Sequence, residues 1–326
     1  MLNRQHRQDT AASITHLVQL LRDAPSLPPE LRLLDLCTGT GCIPLLFRHE
    51  LCSARQDVHL RALAVDVSEE ALALARHNLQ SVDKSEAESK RGCIDLLKAD
   101  VLLDPFADQV TGPPSLKAAM NYYDHPPFWD ILISNPPYIS PSNYWKTTTR
   151  SVRSYEPKLA LVPPQSPHLD DTKTADAFYS PLLNIARDVE AKVVLLEVAD
   201  LEQARRVAQR ARQLDIFDGI EIWREHPGAS TPSPSDATSF AIVGEGNGRS
   251  VLCWRGAGSS WLGKATPADR VHDAQRLLLR YNGRTLPFQP DTESLNPYFD
   301  PRLFLAASQH KDEEDIAQPT NQQKKQ

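Results

Sequence analysis

Short apolar runs alternate with longer stretches of helical period along the first two thirds of the chain. Residues 8–23 place Ala12, Ile14, Leu17, Val18, Leu20 and Leu21 at mainly helical spacing, and Pro25, Pro28 and Pro29 end that helix. Leu31-Arg-Leu-Leu-Asp-Leu36 reads as a first strand. The turn Cys37-Thr-Gly-Thr-Gly41 leads into a helix from Ile43 to Leu51, where Pro44 fits the first turn. Leu60 to Asp66 is a second strand, and Ser68-Glu69-Glu70 starts a helix over Ala71 to Leu79. A third strand lies within Ile94 to Val101 and ends near Asp100, and Ile131 to Ser134 is a short buried fourth. Lys192 to Val198 is a fifth, preceded by a helix from about Ala177 and followed by an Arg-rich helix over Leu201 to Leu214. Gly219 to Trp223 and Ser250 to Trp254 are late strands on either side of a flexible Pro/Ser/Thr stretch at 227–239.

Strands alternating with helices predict an α/β, Rossmann-like, mostly parallel sheet covered on both faces. Residues 84–91 read as a loop or helix end, and residues 107–127, with Pro113-Pro114 and Pro126-Pro127, as an insertion. Ala268 to Tyr281 has helical spacing, and no internal repeat is visible. The organisation expected is an N-terminal helical remnant at 1–29, one domain at 30–256, an extension at 257–310 and a polar, disordered tail at 311–326.

Composition narrows the class. Forty per cent hydrophobic residues suffice for a sizeable core, and a formal charge of −6 gives no case for non-specific nucleic-acid binding. The five cysteines have no Cys-x-x-Cys spacing, and their odd number argues for a reducing compartment. No stretch reaches the roughly 18 apolar residues of a membrane span. The first 25 residues show neither a signal-peptide core nor an evident transit peptide. No His/Cys cluster suggests a metal, and no Gly-x-Ser-x-Gly elbow suggests a hydrolase.

The candidate chemistry sits at strand ends. Asn135-Pro136-Pro137-Tyr138 leaves the fourth strand as a stiff corner, because each proline fixes its own φ and neither donates a backbone N–H. In open α/β sheets that edge is where ligands bind. Asp35-x-Cys37-x-Gly39-x-Gly41 joins a strand to a helix, and its glycines are two apart, which does not fit the Gly-x-Gly-x-x-Gly of nicotinamide folds. Asp66 ends the next strand, where an acid can accept from ribose hydroxyls. Asp100 ends the third, where an acid could accept from an adenine amino group. Taken singly, each acid is equally well a helix cap or a solvated strand end.

Together these features resemble the S-adenosylmethionine site of class I methyltransferases. Asn-Pro-Pro-Tyr resembles the substrate motif of enzymes that methylate a planar nitrogen, either an amide or an exocyclic base amine. Leu33-Asp-Leu-Cys-Thr-Gly-Thr-Gly41, Ser154-Tyr-Glu-Pro-Lys-Leu-Ala-Leu161 and Asp176-Ala-Phe-Tyr179 are similar to the HemK/PrmC family, over roughly residues 7–255. The resemblance implies a seven-stranded sheet, S-adenosylmethionine as cofactor and no metal. It implies methylation of the glutamine N5 in the Gly-Gly-Gln loop of a peptide-chain release factor. It assigns Asn135, Pro136 and Tyr138 to catalysis, and Asn135, Pro136, Pro137, Tyr138 and Glu156 to the acceptor. It assigns Asp35, Cys37, Thr38, Gly39, Thr40, Gly41, Asp66, Asp100, Val101 and Asn135 to the cofactor. The partner implied is a release factor met by a monomer, with no membrane and no direct nucleic-acid contact. A mitochondrial location is implied, with the cytoplasm as the alternative.

Three departures stand out. Cys37 replaces the first glycine of the turn. Only about 30 residues precede the first strand, where the family carries a helical domain that grips the release factor, and Arg7-Gln8-Asp9-Thr10 looks like the remnant of its junction. The resemblance does not explain the chain past Trp254. Two other readings remain open at this point: an N-methyltransferase acting on a nucleic-acid base, and a non-catalytic methyltransferase-like module.

Overall fold

The computed structural model describes residues 2–82, 92–103, 112–165, 169–229 and 240–264, with side chains from Thr10 onward. Eight strands form one sheet in the order β3-β2-β1-β4-β5-β8-β6-β7. These are β1 (Glu30–Leu36), β2 (His59–Asp66), β3 (Gly92–Lys98), β4 (Ile131–Ser134), β5 (Val193–Glu197), β6 (Gly219–His226), β7 (Ala241–Val243) and β8 (Glu245–Trp254). Only β8 runs antiparallel to its neighbours, β5 and β6. The expected count of seven is corrected by β7, which pairs parallel to β6 through Glu221, Ile222 and Trp223. Three residues after a Pro/Ser/Thr stretch are too few to show a period.

The long helices are α1 (Leu2–Arg22), α2 (Cys42–Ala54), α3 (Glu69–Val82), α8 (Tyr179–Asp188) and α9 (Leu201–Gln213). Shorter ones are α4 (Leu116–Tyr122), α5 (Pro141–Thr147), α6 (Arg150–Tyr155), α7 (Asp171–Ala175) and α10 (Ala257–Trp261), with a 3₁₀ turn at Lys158–Ala160. Successive side chains of a strand point to opposite faces, and here both faces are covered. Leu34, Leu36, Leu132, Val194 and Leu196 meet α4, α8 and α9 on one side. Leu31, Leu33, Ile131, Ile133, Val193 and Leu195 meet α1, α2 and Trp261 on the other. Phe47 of α2 is fully buried in that second layer, and its truncation to alanine should cost about 3–5 kcal/mol.

The reading of 107–127 as an insertion needs correction. Residues 104–111 lie outside the described residues, but α4 inside this stretch buries Leu116, Ala119 and Met120. Ser115 caps it by accepting from Ala118 N. Trp129 is fully buried and donates its indole N–H to Pro126 O at 2.9 Å. The flanking prolines bracket the crossover helix from β3 to β4, a working part of the sheet. The loop expected at 84–91, most of the 227–239 stretch, the 268–281 helix and the tail lie outside the described residues.

β1 pairs with β2 on one edge and β4 on the other, so the crossovers leave it in opposite directions. Such a switch point opens a crevice at the carboxyl ends of the strands. The turn after β1 and the corner after β4 both stand there.

Candidate active site

The turn after β1 is built by its backbone. Cys37, Gly39 and Gly41 all take positive φ, at 62°, 56° and 74°. Thr38 N donates to Val65 O at 2.9 Å, which ties the turn to β2. Gly39 N donates to Asp66 Oδ2 at 2.8 Å, and Ser68 N donates to Asp66 Oδ1 at 2.9 Å. Asp66 therefore fastens the turn and the start of α3 at once. Asn78 of α3 donates to Thr40 O at 3.0 Å. A methyl group on Gly39 would meet no atom within 4 Å, so this point of the turn faces open space. One on Gly41 would come within 3.2 Å of Ala75 Cβ, so Gly41 serves the approach of α2 to α3.

A cavity of about 720 Å³ lies over the turn and the corner, within the range of small-molecule sites. Its wall includes Cys37, Thr38, Gly39, Thr40, Asp66, Asp100, Val101, Asn135, Pro136, Pro137, Tyr138 and Glu156, which come from five stretches of chain. Two expected residues do not reach it. Gly41 sits behind the turn. Asp35 is fully buried, alternating with Leu34 and Leu36 so that it faces the opposite layer. Neither of its carboxylate oxygens has a hydrogen-bond partner. Burial pushes its carboxyl up to about 8, and the charge of Asp66 adds to this. The Thr38 hydroxyl opposes that rise without reaching hydrogen-bonding geometry.

The Cys37 side chain packs against the first core layer while still contributing to the cavity wall. Burial, then the nearby Asp66 charge, push its thiol far above the ordinary range, and the Ser134 hydroxyl opposes them. Asp100 lies two residues past β3; its Oδ1 accepts from Leu102 N at 2.9 Å and its own N–H donates to Pro114 O at 2.9 Å.

At the corner, Ser134 donates to Leu36 O at 2.7 Å and locks the end of β4 to β1. Pro136 and Pro137 are buried, whereas Asn135 and Tyr138 are partly exposed at the cavity. The segment that follows covers the crevice through α5 and α6 and returns where Ile139 N donates to Leu161 O at 2.9 Å. Within it Glu156 reaches the cavity, and Tyr155 is 88% exposed. Asp176 is buried behind the corner, accepting from Arg206 Nε at 2.8 Å and Gln203 Nε2 at 3.0 Å.

Sequence reasoning missed Thr10 of α1, Phe178 and Glu197, all on the cavity wall. Tyr138 Oη donates to Glu197 Oε1 at 3.0 Å, and Thr10 Oγ1 donates to Glu197 Oε2. Glu197 carried the signal used for Asp66, an acid that ends an apolar strand. Among the described residues there is no group of three or more potential metal ligands, and no helix is long and apolar enough to cross a membrane.

The strand order, the lone antiparallel strand beyond β5 and the glycine turn after β1 define the class: a Rossmann-like class I methyltransferase fold. Solved structures of such enzymes align at low identity. One is the S-adenosylmethionine-dependent methyltransferase from Agrobacterium tumefaciens, 13% identical over 75% of this chain and 62% of that one, with a TM-score of 0.38. No protein-family model matches the chain.

Curated relatives are more specific. A protein of Chlorobaculum tepidum named release factor glutamine methyltransferase is 36% identical over 165 residues, covering 48% of this chain and 45% of that protein. A Schizosaccharomyces pombe protein named "Probable MRF1 mitochondrial N(5)-glutamine methyltransferase mtq1" is 31% identical over 202 residues, 62% of this chain and 58% of that protein. One from Bacteroides thetaiotaomicron, again named release factor glutamine methyltransferase, is 34% identical over 142 residues, 43% of this chain and 39% of that protein. The chain spans about half the length of the curated relatives it matches. Over that span its resemblance to the HemK/PrmC proteins stands.

Proposed function

We propose that this chain transfers a methyl group from S-adenosylmethionine to the side-chain amide nitrogen of the glutamine in a release factor's Gly-Gly-Gln loop. The observation that carries the proposal is one cavity joining the glycine turn and its acids to the Asn-Pro-Pro-Tyr corner. The residues present suit the cofactor. Gly39 leaves an opening for close approach, and the Thr38 hydroxyl is buried without a partner. Asp66 and Asp100 bring carboxylates to the same wall. Cys37, Thr38, Gly39, Thr40 and Val101 would complete that end, with Asp35 and Gly41 supporting it from behind.

When bound, S-adenosylmethionine supplies an electrophilic methyl on a sulfonium. An amide nitrogen is a poor nucleophile, because its lone pair is delocalised into the carbonyl. Asn135 Oδ1 and Pro136 O accept its two N–H bonds, orient it and stabilise the positive charge that develops on it. Tyr138 packs against the flat amide, and Pro137 and Glu156 border the entry. The proton passes to water at the partly exposed corner after transfer, so no strong base is needed beforehand.

The relatives' names support a release factor as the acceptor, and the S. pombe name supports a mitochondrial one as the finer reading. The test is mass spectrometry of a release factor incubated with the chain and S-adenosylmethionine. A gain of one methyl on the loop glutamine, lost in Asn135→Ala, is the expected result. Cofactor binding with no methylated glutamine would overturn the acceptor assignment.

A further inference from the structure

Glu197 closes β5 at the cavity floor and is only 7% exposed. Tyr179 Oη donates to its backbone carbonyl at 3.0 Å, which holds the residue in place. Its two carboxylate oxygens are engaged differently: Oε1 accepts from the Tyr138 hydroxyl and Oε2 from the Thr10 hydroxyl. Thr10 and Glu197 also share the wall of a smaller recess with Asn135 and the Ser13–Ser250 hydroxyl pair. A carboxylate can only accept, and a phenol has a single proton to give. With that proton committed to Glu197, the Tyr138 oxygen meets any other group as an acceptor.

We infer that Glu197 is a positioning residue that fixes the polarity of Tyr138, so that the acceptor end offers lone pairs and selects an –NH₂ group over a carboxylate. This rests on the function proposed above. Asn135 Oδ1 and Pro136 O take the two N–H bonds of a glutamine amide, and Tyr138 Oη on the same wall offers a lone pair and no proton. A glutamate carboxylate brings no N–H, and it meets the charge of Glu197 as well. If the Tyr138 proton were released from Glu197 it could turn into the cavity, and the discrimination would weaken.

Two measurements test this. The first uses no substrate. With ¹³Cζ-labelled tyrosine, the Tyr138 resonance is identified by its loss in Tyr138→Phe. It should move in Glu197→Leu and stay close to its original place in Glu197→Gln, whose amide oxygen still accepts from the phenol. An unmoved resonance in Glu197→Leu overturns the inference. Glu197→Met, longer and also apolar, replaces Glu197→Leu if the latter does not fold.

The second is methyl transfer to a release factor, with cofactor binding measured separately. Loss of a hydrogen bond to a charged group predicts a fall in kcat/KM of about 10- to 150-fold in Glu197→Leu. Glu197→Gln should recover most of that loss. In a Tyr138→Phe background Glu197→Leu should cost less than about threefold, because the two act as one unit. Inhibition by a factor carrying Gly-Gly-Glu should strengthen in Glu197→Leu relative to the unmodified chain. Fully additive losses, or unchanged discrimination, overturn the inference. If the resonance behaves as stated but the unmodified chain methylates no glutamine, the acceptor assignment fails and the hold of Glu197 on Tyr138 stands.

Discussion

At the glycine-turn end of the cavity the atoms that matter are backbone amides. Gly39 N and Ser68 N both meet Asp66, and the turn's other ties run to Val65 of β2 and Asn78 of α3. At the Asn-Pro-Pro-Tyr end the supporting contacts run between side chains of distant elements. Thr10 and Glu197 are 187 residues apart, and Tyr138 and Glu197 are 59 apart. The first end is backbone geometry fastened from nearby, by the Asp66 carboxylate and the Asn78 amide. The second exists only once α1, β4 and β5 are side by side. Binding a constant cofactor suits the first kind of construction, and discriminating an acceptor suits the second.

The sharpest way to break this comparison is at the corner. Asn135→Ala should lower kcat by about 10²–10³, the scale for removing one preorganised polar group. The melting temperature should barely change, since Asn135 is partly exposed and the corner is held by Ser134 and the buried prolines. Single-turnover transfer, with cofactor affinity by calorimetry, separates the two effects. A wild-type rate would make the corner merely structural.

Asp66→Ala comes next, and here the two ends should behave differently. Asp66 faces the cavity, and it also accepts two backbone N–H bonds. Hydrogen bonds to a charged group are worth roughly 1.5–3 kcal/mol, so cofactor affinity should fall about 10- to 150-fold. Unlike Asn135→Ala, this change should also lower the melting temperature, because the amides of Gly39 and Ser68 lose their acceptor. Undiminished affinity in a destabilised variant would make Asp66 a turn fastener only.

The two ends also differ in how far the sequence discloses them. Asp66, Asp100 and the glycine turn follow from strand ends and short spacings, which a local window contains. The Asn-Pro-Pro-Tyr corner is visible for the same reason. Thr10 and Glu197 are visible as residues, but their meeting depends on sheet order. The resemblance assigns Asp35 to the cofactor, yet the period of two turns it to the other layer. In the fold, β7 was missed because it has only three residues. Helix α4 was hidden by the proline pairs around it, although Leu116, Ala119 and Met120 fall at helical spacing.

Asp35 gives a pH test of the rigid end. In the unfolded chain its carboxyl ionises near 3.9, whereas the folded protein holds the proton up to about 8. Between those values the folded state binds more protons than the unfolded one. Stability therefore falls as pH rises from about 4 to about 8 and levels off above. Asp35→Asn keeps the neutral shape and should flatten that slope, melting several degrees above the unmodified chain at pH 8, at about 2–4 °C per kcal/mol. Equal slopes would show that the folded carboxyl is already ionised.

The smallest effect should come from Cys37→Gly. Cys37 holds φ at 62°, a left-handed conformation that costs an L-residue roughly 1–2 kcal/mol. Glycine removes that cost. It also frees the unfolded chain by about 0.5–1 kcal/mol and gives up about 1.6 kcal/mol of burial, if Cβ and the sulfur are each counted as one methylene. The net is a loss of about 1 kcal/mol, so the melting temperature should fall by about 2–4 °C. Cys37→Ala keeps the strained backbone and loses only the sulfur, so it should melt close to Cys37→Gly and below the original. Cofactor affinity in Cys37→Gly should stay within a factor of about three, because a backbone-built end does not depend on this side chain. Thermal denaturation and calorimetry on the three proteins decide the matter. A large gain in affinity would mean that the thiol obstructs the cavity, and that this end depends on side chains as the other does.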